Sequence, residues 1–219
     1  MTNAINISVP AAFIDAAMAA VSKEETRYYL KGVFIDGRGF IAATNGHMAF
    51  AARCNDAYKL ASVMPTYPSD ALPGVIVPSD AILQAGKAAG RAKGLCYVIE
   101  RDANGLWWLL YGNARIHFEP VDGSFPDWTR IIPHAPETLT AAHYQPQYIG
   151  KLGDMAKALR DGKKDAAAMF KLHQAGEGPA LVTFPSEDGT NIRTDCCAVL
   201  MPMRSKGDGR FDTEVFLRA

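Results

Sequence analysis

The sequence predicts an α+β fold assembled from repeated β-α-β-β-β units, with antiparallel sheets and with helices on one face. Three times a short apolar segment meets a proline that opens a helical pattern, at Pro10, Pro78 and Pro146, and both intervals are 68 residues. Each helical pattern is followed by three segments rich in aromatic and β-branched residues. The connections between these segments are too short for parallel crossovers, so we expect antiparallel pairing.

Each of the three prolines is expected to open an amphipathic helix. Proline suits the first helical position because its missing N–H would have no partner there. Apolar residues recur three and four positions apart after each proline, which predicts one buried face per helix. These residues are Phe13, Ile14, Ala17, Met18 and Val21 in the first helix, Ile82, Leu83, Gly86 and Ala89 in the second, and Tyr148, Ile149, Leu152, Met155, Ala156 and Leu159 in the third.

Nine segments after the helices are expected to be strands. The first unit contains RYYLKGVFID, GFIAATNG and HMAFAARC; the second LCYVIERD, GLWWLLYG and ARIHFEPV; the third AAMFKLHQ, ALVTFPSE and NIRTDCCAVLMPM. Turn signals at Asp36-Gly37, Asn45-Gly46, Asn104-Gly105 and Asp188-Gly189 separate them. The pattern therefore indicates units at about 1–62 and 73–133, joined by the link PTYPSDALPG, and a third unit over 134–219 with a C-terminal extension.

Composition limits the classes of function. The 23 basic and 23 acidic residues balance, so a nucleic-acid partner would need a local basic face. The four cysteines form no C-x-x-C pair, and the five histidines fit neither a metal-ligand spacing nor a nucleophile motif. The N-terminus lacks the layout of a signal peptide, and no apolar run is long enough for a membrane helix. We expect a cytoplasmic protein that is not an enzyme, with no catalytic residue, metal or cofactor.

Four separated motifs, TRYYLKGVF, AATNGHMAF, VDGSFPDWTRIIP and AVLMPMR, occur in the order typical of one protein family. Over residues 1–204 the sequence resembles the bacterial DNA polymerase III β sliding clamps. The resemblance implies the DNA clamp fold, in which paired units form a domain, three domains form a chain and two chains close a ring around duplex DNA. Units one and two resemble the middle domain, and unit three resembles the second half of the last domain. The resemblance therefore implies one complete clamp domain over residues 1–133 and half a domain, with an extension, over residues 134–219.

The resemblance also implies a hydrophobic cleft that binds partner peptides. The positions that match the family cleft are Leu30, Thr44, Gly46, His47, Ala49, Pro133, Met201, Pro202, Met203 and Arg204. Methionines give adaptable walls and prolines a rigid edge, which suits an extended peptide. The family commonly has Asp-Gly-His-Arg-Leu where this chain has Asn45–Ala49, a change expected to alter pocket depth. The alternative is that Met201 and Met203 are core residues and that His47 only closes a turn; Phe125 and Trp128 are expected to pack.

Clamp helices line the hole and contact DNA phosphates, so basic residues on the helices are candidates for DNA contact. They are Lys87 and Arg91 from helix two, and Lys151, Lys157, Arg160, Lys163 and Lys164 from helix three and just beyond it. The first helix has no basic residue on its expected outer face of Ala12, Asp15, Ala16 and Ala19. The alternative is an ordinary solvated helix face.

The function implied by the resemblance is a sliding-clamp-like processivity factor in DNA replication. It would embrace duplex DNA without sequence specificity and tether a polymerase or clamp-loader-type protein through a short peptide. The alternative is a decoy or regulator that binds replication factors without sliding on DNA.

Three units leave half a domain, so we expect a homo-oligomer: a tetramer would supply twelve units, and a dimer would form an open arc. The tail should contain a hinge at Ser205–Arg210. Its apolar end at Val215–Leu217 adds an edge strand, reaches the cleft methionines or is disordered.

Overall fold

The computed structural model describes residues 5–54, 74–133, 142–160, 167–186 and 191–204. The helices are α1 (Ala11–Met18), α2 (Ser79–Ala89) and α3 (Pro146–Ala158), with 3₁₀ helices at Glu25–Leu30 and Trp128–Ile131. The strands are β1 (Ile5–Pro10), β2 (Gly32–Asp36), β3 (Phe40–Thr44), β4 (Met48–Arg53), β5 (Val75–Pro78), β6 (Cys96–Arg101), β7 (Trp107–Tyr111), β8 (Ala114–Phe118), β9 (Lys171–Ala175), β10 (Gly178–Thr183) and β11 (Cys196–Leu200).

The predicted α+β class with antiparallel sheets is confirmed. A four-stranded sheet has the order β1-β6-β7-β8, and a seven-stranded sheet has the order β5-β2-β3-β4-β11-β10-β9. The first two units exchange their leading strands: β1 pairs with β6 of the second unit, and β5 pairs with β2 of the first. At Gly32 in this second pairing, a Cβ atom would lie 2.3 Å from the Val77 carbonyl oxygen, so only glycine fits.

The third unit joins the seven-stranded sheet through one pair of strands. β11 runs antiparallel to β4, from Cys196 opposite Ala52 to Leu200 opposite Met48. We call this β4–β11 pairing the seam. The leading strand expected before α3 is reduced to one bridge, in which the Met203 N–H donates to the His143 carbonyl at 2.7 Å. Pro202, which has no N–H, limits pairing beside that bridge.

The first predicted strand begins later than expected. The aromatic pair Tyr28-Tyr29 suggested a strand from Arg27 onward, but Glu25–Leu30 is a 3₁₀ helix and β2 begins at Gly32. Local bonds hold this turn: the Ser22 N–H donates to the Leu30 carbonyl at 3.0 Å, and Lys31 Nζ donates to Glu25 Oε1 at 2.8 Å. Aromatic content alone therefore mispredicted the segment.

One core lies between the helices and both sheets. Helix α1 contacts strands of both sheets and also packs against α3. The predicted outer face of α1 is wrong at Ala16, which is fully buried, because α3 covers that side and leaves Asp15 exposed. In the described ranges no three His, Cys, Asp or Glu side chains are grouped to hold a metal ion. None of the described helices is long and apolar enough to cross a bilayer.

Candidate functional site

The seam has one face toward the helices and one away from them, here called the outer face. Side chains alternate along β4 and β11: Phe50 and Ala198 belong to the main core, whereas Ala51 belongs to a separate small cluster around Trp128. The floor of this face is made of four small or medium side chains, Ala49, Ala51, Cys197 and Val199. Trp128, Ile131 and Ile132 lie over this apolar floor, so that Ala49, Ala51 and Val199 are buried.

The 3₁₀ helix Trp128–Ile131 forms one wall above this floor. Trp128 is 7% exposed, and its indole Nε1 donates to the Asp36 carboxylate at 3.4 Å between Nε1 and Oδ2. Arg38 Nε donates to Asp36 Oδ1 at 3.0 Å. Burial alone would raise the pKa of Asp36, but the hydrogen bonds and charge of Arg38, together with the indole, hold that pKa below its ordinary value. The charged, buried Asp36 carboxylate therefore holds the Trp128–Ile131 wall in place.

The segment that leads to this wall packs on the same face. The Phe125 and Phe34 rings stack with centroids 4.8 Å apart, and the Phe40 and Trp128 rings lie 5.4 Å apart. Gly123 has a φ of +152°, and a Cβ atom there would come within 2.9 Å of the Tyr29 Cβ. The aromatic residues of VDGSFPDWTRIIP are therefore packing residues that position the wall.

A groove of about 340 Å³ opens at one end of the seam. It lies between the aromatic and apolar side chains of Phe40, Trp128 and Ile132 on one side and the chain 193–197 on the other. Arg193 closes this end, with Nη2 at 2.7 Å from Asp195 Oδ2.

The ion pair at this end is anchored to a helix. Arg193 Nη1 donates to the Leu159 carbonyl at the end of α3, at 3.1 Å. Burial would raise the pKa of Asp195, but hydrogen bonds from Arg193 and its charge lower it below the ordinary value. Sequence reasoning missed these residues, because a charged pair two positions apart in a predicted strand signals nothing by itself. Their role follows only from the register of β11.

The other end of the seam contains two exposed methionines. The Met201 N–H donates to the His47 carbonyl at 2.9 Å, which extends the seam by one residue beyond β11. Met201 is 41% exposed and Met203 is 49% exposed. The alternative that these methionines belong to the core is therefore wrong.

The turn before β4 is built from side-chain hydrogen bonds. Thr44 Oγ1 donates to the Met48 carbonyl at 2.8 Å and accepts from the Gly46 N–H at 3.1 Å. Asn45 Oδ1 accepts from the His47 N–H at 2.9 Å and the Met48 N–H at 3.0 Å. Gly46 has a φ of +85°, a conformation that favours glycine. This turn fixes where the His47 carbonyl meets Met201.

The structure brings half of the predicted cleft together. Contacts along the seam join Thr44, Gly46, His47, Ala49 and Met201. The remaining predicted residues lie around it: Leu30 is buried at the end of the first 3₁₀ helix, Pro133 is half-buried after Ile132, Pro202 is half-buried, and Met203 and Arg204 are exposed beyond the seam.

The methionine end of the seam also contacts α3. The His47 and Tyr148 rings stack with centroids 5.4 Å apart, and Lys151 Nζ lies 5.9 Å from the Tyr148 ring centroid. Burial lowers the pKa of Lys151, and the charge of Lys23 lowers it further. Lys23 was not predicted as a functional residue, because it follows α1 and breaks no local pattern.

The basic residues predicted to face DNA differ in exposure. On the second unit, Lys87 is exposed on α2, whereas Arg91 is exposed in the turn after the helix ends at Ala89. The expectation that Arg91 lies on the helix is wrong because Gly90, at a φ of +55°, terminates it. Asp15 reaches solvent, but the protein atoms packed around its carboxylate partly desolvate it and raise its pKa, and the charge of Lys93, just beyond, opposes that rise.

Of the predicted DNA-facing cations that the structure describes on the third unit, Lys157 is exposed, and its Nζ lies 3.0 Å from Asp154 Oδ1. Lys151 is half-buried on α3, and Arg160 is half-buried just after the helix. Lys163 and Lys164 lie outside the described residues, as do the link at 65–73, the turn Asp188-Gly189 and the whole tail 205–219.

Comparison with known proteins identifies proteins that this chain resembles in sequence and in fold. The chain is 32% identical over 125 residues to the beta sliding clamp of Caulobacter vibrioides, a match that covers 55% of this chain and 31% of that relative. Over that stretch the chain is similar in sequence to the bacterial β sliding clamp. No family model matches the sequence. The matched stretch spans about a third of the length of the curated clamps.

Solved clamp structures have the same fold. The Caulobacter crescentus clamp matches with a TM-score of 0.58 at 20% identity, over 94% of this chain and 68% of that one. The Thermotoga maritima polymerase III beta subunit matches with a TM-score of 0.62 at 11% identity, over 94% and 67%. The Bartonella birtlesii clamp, solved bound to griselimycin, matches with a TM-score of 0.59 at 18% identity, over 91% and 66%. At these identities the likeness establishes the clamp fold.

Proposed function

We propose that this chain is a sliding-clamp-like processivity factor, which embraces duplex DNA and tethers a polymerase or another replication protein through a peptide bound along the seam. The observation that carries the proposal is the outer face of the seam. Its floor is small and apolar, its wall is the anchored Trp128 segment, and exposed Met201 stands at its end. The function needs no catalytic group.

The dimensions of the seam set the size of the ligand. The seam spans five residue pairs, Cys196–Leu200 opposite Met48–Ala52, or about 17 Å at roughly 3.3 Å per residue. An extended segment of about five or six residues would match this length. Apolar side chains would enter the groove near Trp128, and Met201 would adapt to the other end. The peptide cleft predicted from sequence is thereby extended toward Phe40 and Arg193.

Griselimycin provides a direct probe of the groove, because it is bound in the Bartonella birtlesii clamp structure. Titration calorimetry should detect binding to the full chain. Cys197→Trp, which fills the floor, and Met201→Ala, which removes the end wall, should each weaken binding by about tenfold or more. Leu106→Ala, at an exposed position on the other sheet, is the control. Binding that is undetectable, or equal in all variants, would contradict the proposed groove.

We propose that the exposed sides of α2 and α3 face duplex DNA. The cations there are Lys87, Lys151 and Lys157, with Lys23 and Lys93 nearby. Contacts of this kind are made to phosphates and weaken with salt. A neutral chain can therefore bind DNA through one local face.

A matched pair of double variants tests the DNA face. Lys151→Glu with Lys157→Glu should weaken binding to a random duplex and flatten its dependence on salt concentration. Arg130→Glu with Lys171→Glu makes the same charge change elsewhere, and Arg130, like Lys157, has an aspartate partner three residues earlier. Equal loss in both doubles would mean that net charge, not this face, governs binding.

A second candidate is an interaction protein that binds replication factors without sliding on DNA. It is favoured by α1, whose exposed residue among the described ones is Asp15 and which therefore adds no cation to the helix side. The two candidate functions differ in whether the protein encloses the DNA. Salt-stable retention on circular DNA that is lost on linearisation supports the clamp, and equal behaviour on both DNA forms supports the second candidate.

We further propose the organisation inferred from sequence: a domain over residues 1–133, a half-domain with an extension over 134–219, cytoplasmic location and a homo-oligomer. The exchange of β1 and β5 between units one and two supports the first boundary, because each unit completes the sheet of the other. The molar mass in solution tests the oligomer, and a monomer at micromolar concentration would contradict it.

A further inference from the structure

A second pocket, here called the helix pocket, lies between α1 and α2 and shares no lining residue with the groove at the seam. Its volume is about 330 Å³. Small-molecule sites in proteins begin at about 300 Å³, so the helix pocket has room for one small ligand. It is lined by residues of α1, of α2, of the turn that follows α2 and of strands β6 and β7.

The floor of the helix pocket consists of two stacked tyrosines. Tyr97 and Tyr111 lie opposite each other on β6 and β7, with ring centroids 3.9 Å apart and ring planes 6° apart. They are 3% and 5% exposed. A buried tyrosine hydroxyl usually has a hydrogen-bond partner, yet in the described part of the chain neither of these hydroxyls has one. The floor therefore offers two polar groups to a ligand.

The state of these hydroxyls follows from their surroundings. Burial raises the pKa of Tyr97 and of Tyr111, and the charge of Asp15, which also lines the pocket, raises each pKa further. Both phenols therefore stay protonated at neutral pH and can donate hydrogen bonds. An ionised Asp15 carboxylate only accepts. The floor thus places two donors beside one acceptor.

Apolar side chains and one glycine form the sides of the helix pocket. Met18 lines it from α1, and Ile82 and the exposed Leu83 line it from α2. A Cβ atom at Gly86 would lie 3.8 Å from the Tyr97 hydroxyl. Because Gly86 has no side chain, α2 leaves that hydroxyl accessible from the pocket.

The charges of the lining favour an anionic ligand. Lys87 on α2 and Lys93 between α2 and β6 are exposed, and Asp15 is the one acidic residue among the lining residues described. The charge of Lys93 acts on Asp15, because it opposes the rise in the Asp15 pKa. Two positive charges therefore stand against one negative charge.

We propose that the helix pocket binds one unpaired nucleotide of single-stranded DNA. The base lies between the apolar sides with its polar edge toward the floor, and the phosphate lies toward Lys87 and Lys93. A base is apolar on its faces and carries acceptors and amino groups on its edge, which matches the sides and the floor. An acidic peptide side chain would match the hydroxyls and the lysines, but Asp15 would repel it.

The helix pocket should distinguish single strands from duplex DNA. A base in a duplex has to be unpaired and unstacked before it can enter a pocket, whereas an unpaired base is free to enter. The inference rests on the proposed function only in placing DNA on the helix side of the chain. Contacts to duplex DNA there are made to phosphates, whereas the pocket contacts a base.

Two labelled single strands test the pocket in the full chain by fluorescence anisotropy. One is an oligonucleotide of about ten nucleotides, and the other has the same length and charge but carries no bases. The parent should bind the first more tightly. Gly86→Leu fills the pocket and should weaken binding of the first strand by roughly tenfold, to the affinity of the second.

Gly150→Leu is the matched control for this variant. It makes the same change at an exposed glycine of α3, where a Cβ atom would have nothing within 4 Å. Circular dichroism checks that both variants fold. A parent that binds the two strands equally, or the same loss in both glycine variants, would overturn the proposal.

The hydroxyls of the floor provide a second test. The double variant Tyr97→Phe with Tyr111→Phe keeps the stacked rings and removes both donors, so the base-bearing strand should bind about threefold or more weakly. Tyr28→Phe with Tyr29→Phe is the control, because these tyrosines lie on the first 3₁₀ helix. Unchanged affinity in the first double variant would show that no ligand reaches the floor.

The outcomes distinguish this inference from the proposed function. Gly86→Leu keeps Lys87 and Lys93, so its affinity for duplex DNA should equal that of the parent. Equal loss of duplex and single-strand binding in Gly86→Leu would contradict the pocket and leave the DNA face intact. A parent that binds no duplex but prefers the base-bearing strand would contradict the clamp and support the pocket.

Discussion

The two faces of the seam differ in side-chain size although they share the same two strands. Toward the helices β4 places Met48 and Phe50, both fully buried, and the partner strand adds Leu200. On the outer face β4 places Ala49 and Ala51 instead. One face therefore contributes to stability by filling the core, and the other is covered by the Trp128 segment, beside the groove that a ligand can fill. Substitutions on the two faces should separate folding from binding.

The largest effect on stability is expected from Phe50→Ala on the helix side. The Phe50 ring is 0% exposed and meets the Phe184 ring edge-on at a centroid distance of 6.3 Å. Its loss removes buried area and leaves a cavity, so the free energy of unfolding should fall by about 3–5 kcal/mol. Urea unfolding followed by circular dichroism measures this. A loss below about 1 kcal/mol would show that the core at the seam is loosely packed.

An intermediate effect on stability is expected from pH, through Asp36, the carboxylate that anchors the Trp128 wall. The folded-state pKa of Asp36 is lowered, so its contribution to stability is present above the unfolded pKa of about 3.9 and is lost as pH falls through the folded value. Asp36→Asn should be less stable at neutral pH and should flatten the fall in melting temperature below pH 4. Parallel acid profiles of parent and variant would contradict the assignment. Asp154→Asn, at an exposed position on α3, is the control.

The smallest effect on stability is expected from Met201→Ala on the outer side. Because this side chain is 41% exposed, the free energy of unfolding should change by no more than about 0.5 kcal/mol. Its ligand affinity should nevertheless fall as described for griselimycin. If stability falls as far as in Phe50→Ala, then Met201 is a packing residue and the two faces do not divide folding from binding.

Much of the element order could be predicted from sequence, because the physics involved is local. Proline at the start of each helix and Asn-Gly at the β3–β4 turn act through their own backbone angles. Strand partners could not be predicted, since β1 carries no mark that assigns it to β6. Tyr28 and Tyr29 led to a wrong strand prediction. Aromatic residues favour strands, but here hydrogen bonds between nearby residues hold the segment in a 3₁₀ helix.

The candidate site also has one part that could be predicted from sequence and one part that could not. Thr44, His47 and Met201 were predicted through motifs shared with a known family, and the structure places them together. The Arg193–Asp195 end was missed, because it becomes part of a groove only when β11 lies beside β4 and Trp128 folds across them. That end of the groove exists only because of the register of β11 against β4. The sequence pattern of a single strand does not determine which residues of a partner strand lie opposite it.

The exchange of leading strands has a consequence for how the chain is made on a ribosome. β1 is synthesised first, yet its partner β6 is complete only at Arg101. β4 waits longer, since its seam partner begins at Cys196, and at typical elongation rates the interval is roughly 7 to 30 s. During that time the edge of β4 is unpaired and the floor of the groove is incomplete, because Cys197 and Val199 belong to β11. Nascent chains should therefore depend on holding chaperones until the last unit emerges, and a permuted gene that encodes β9–β11 first should shorten that dependence.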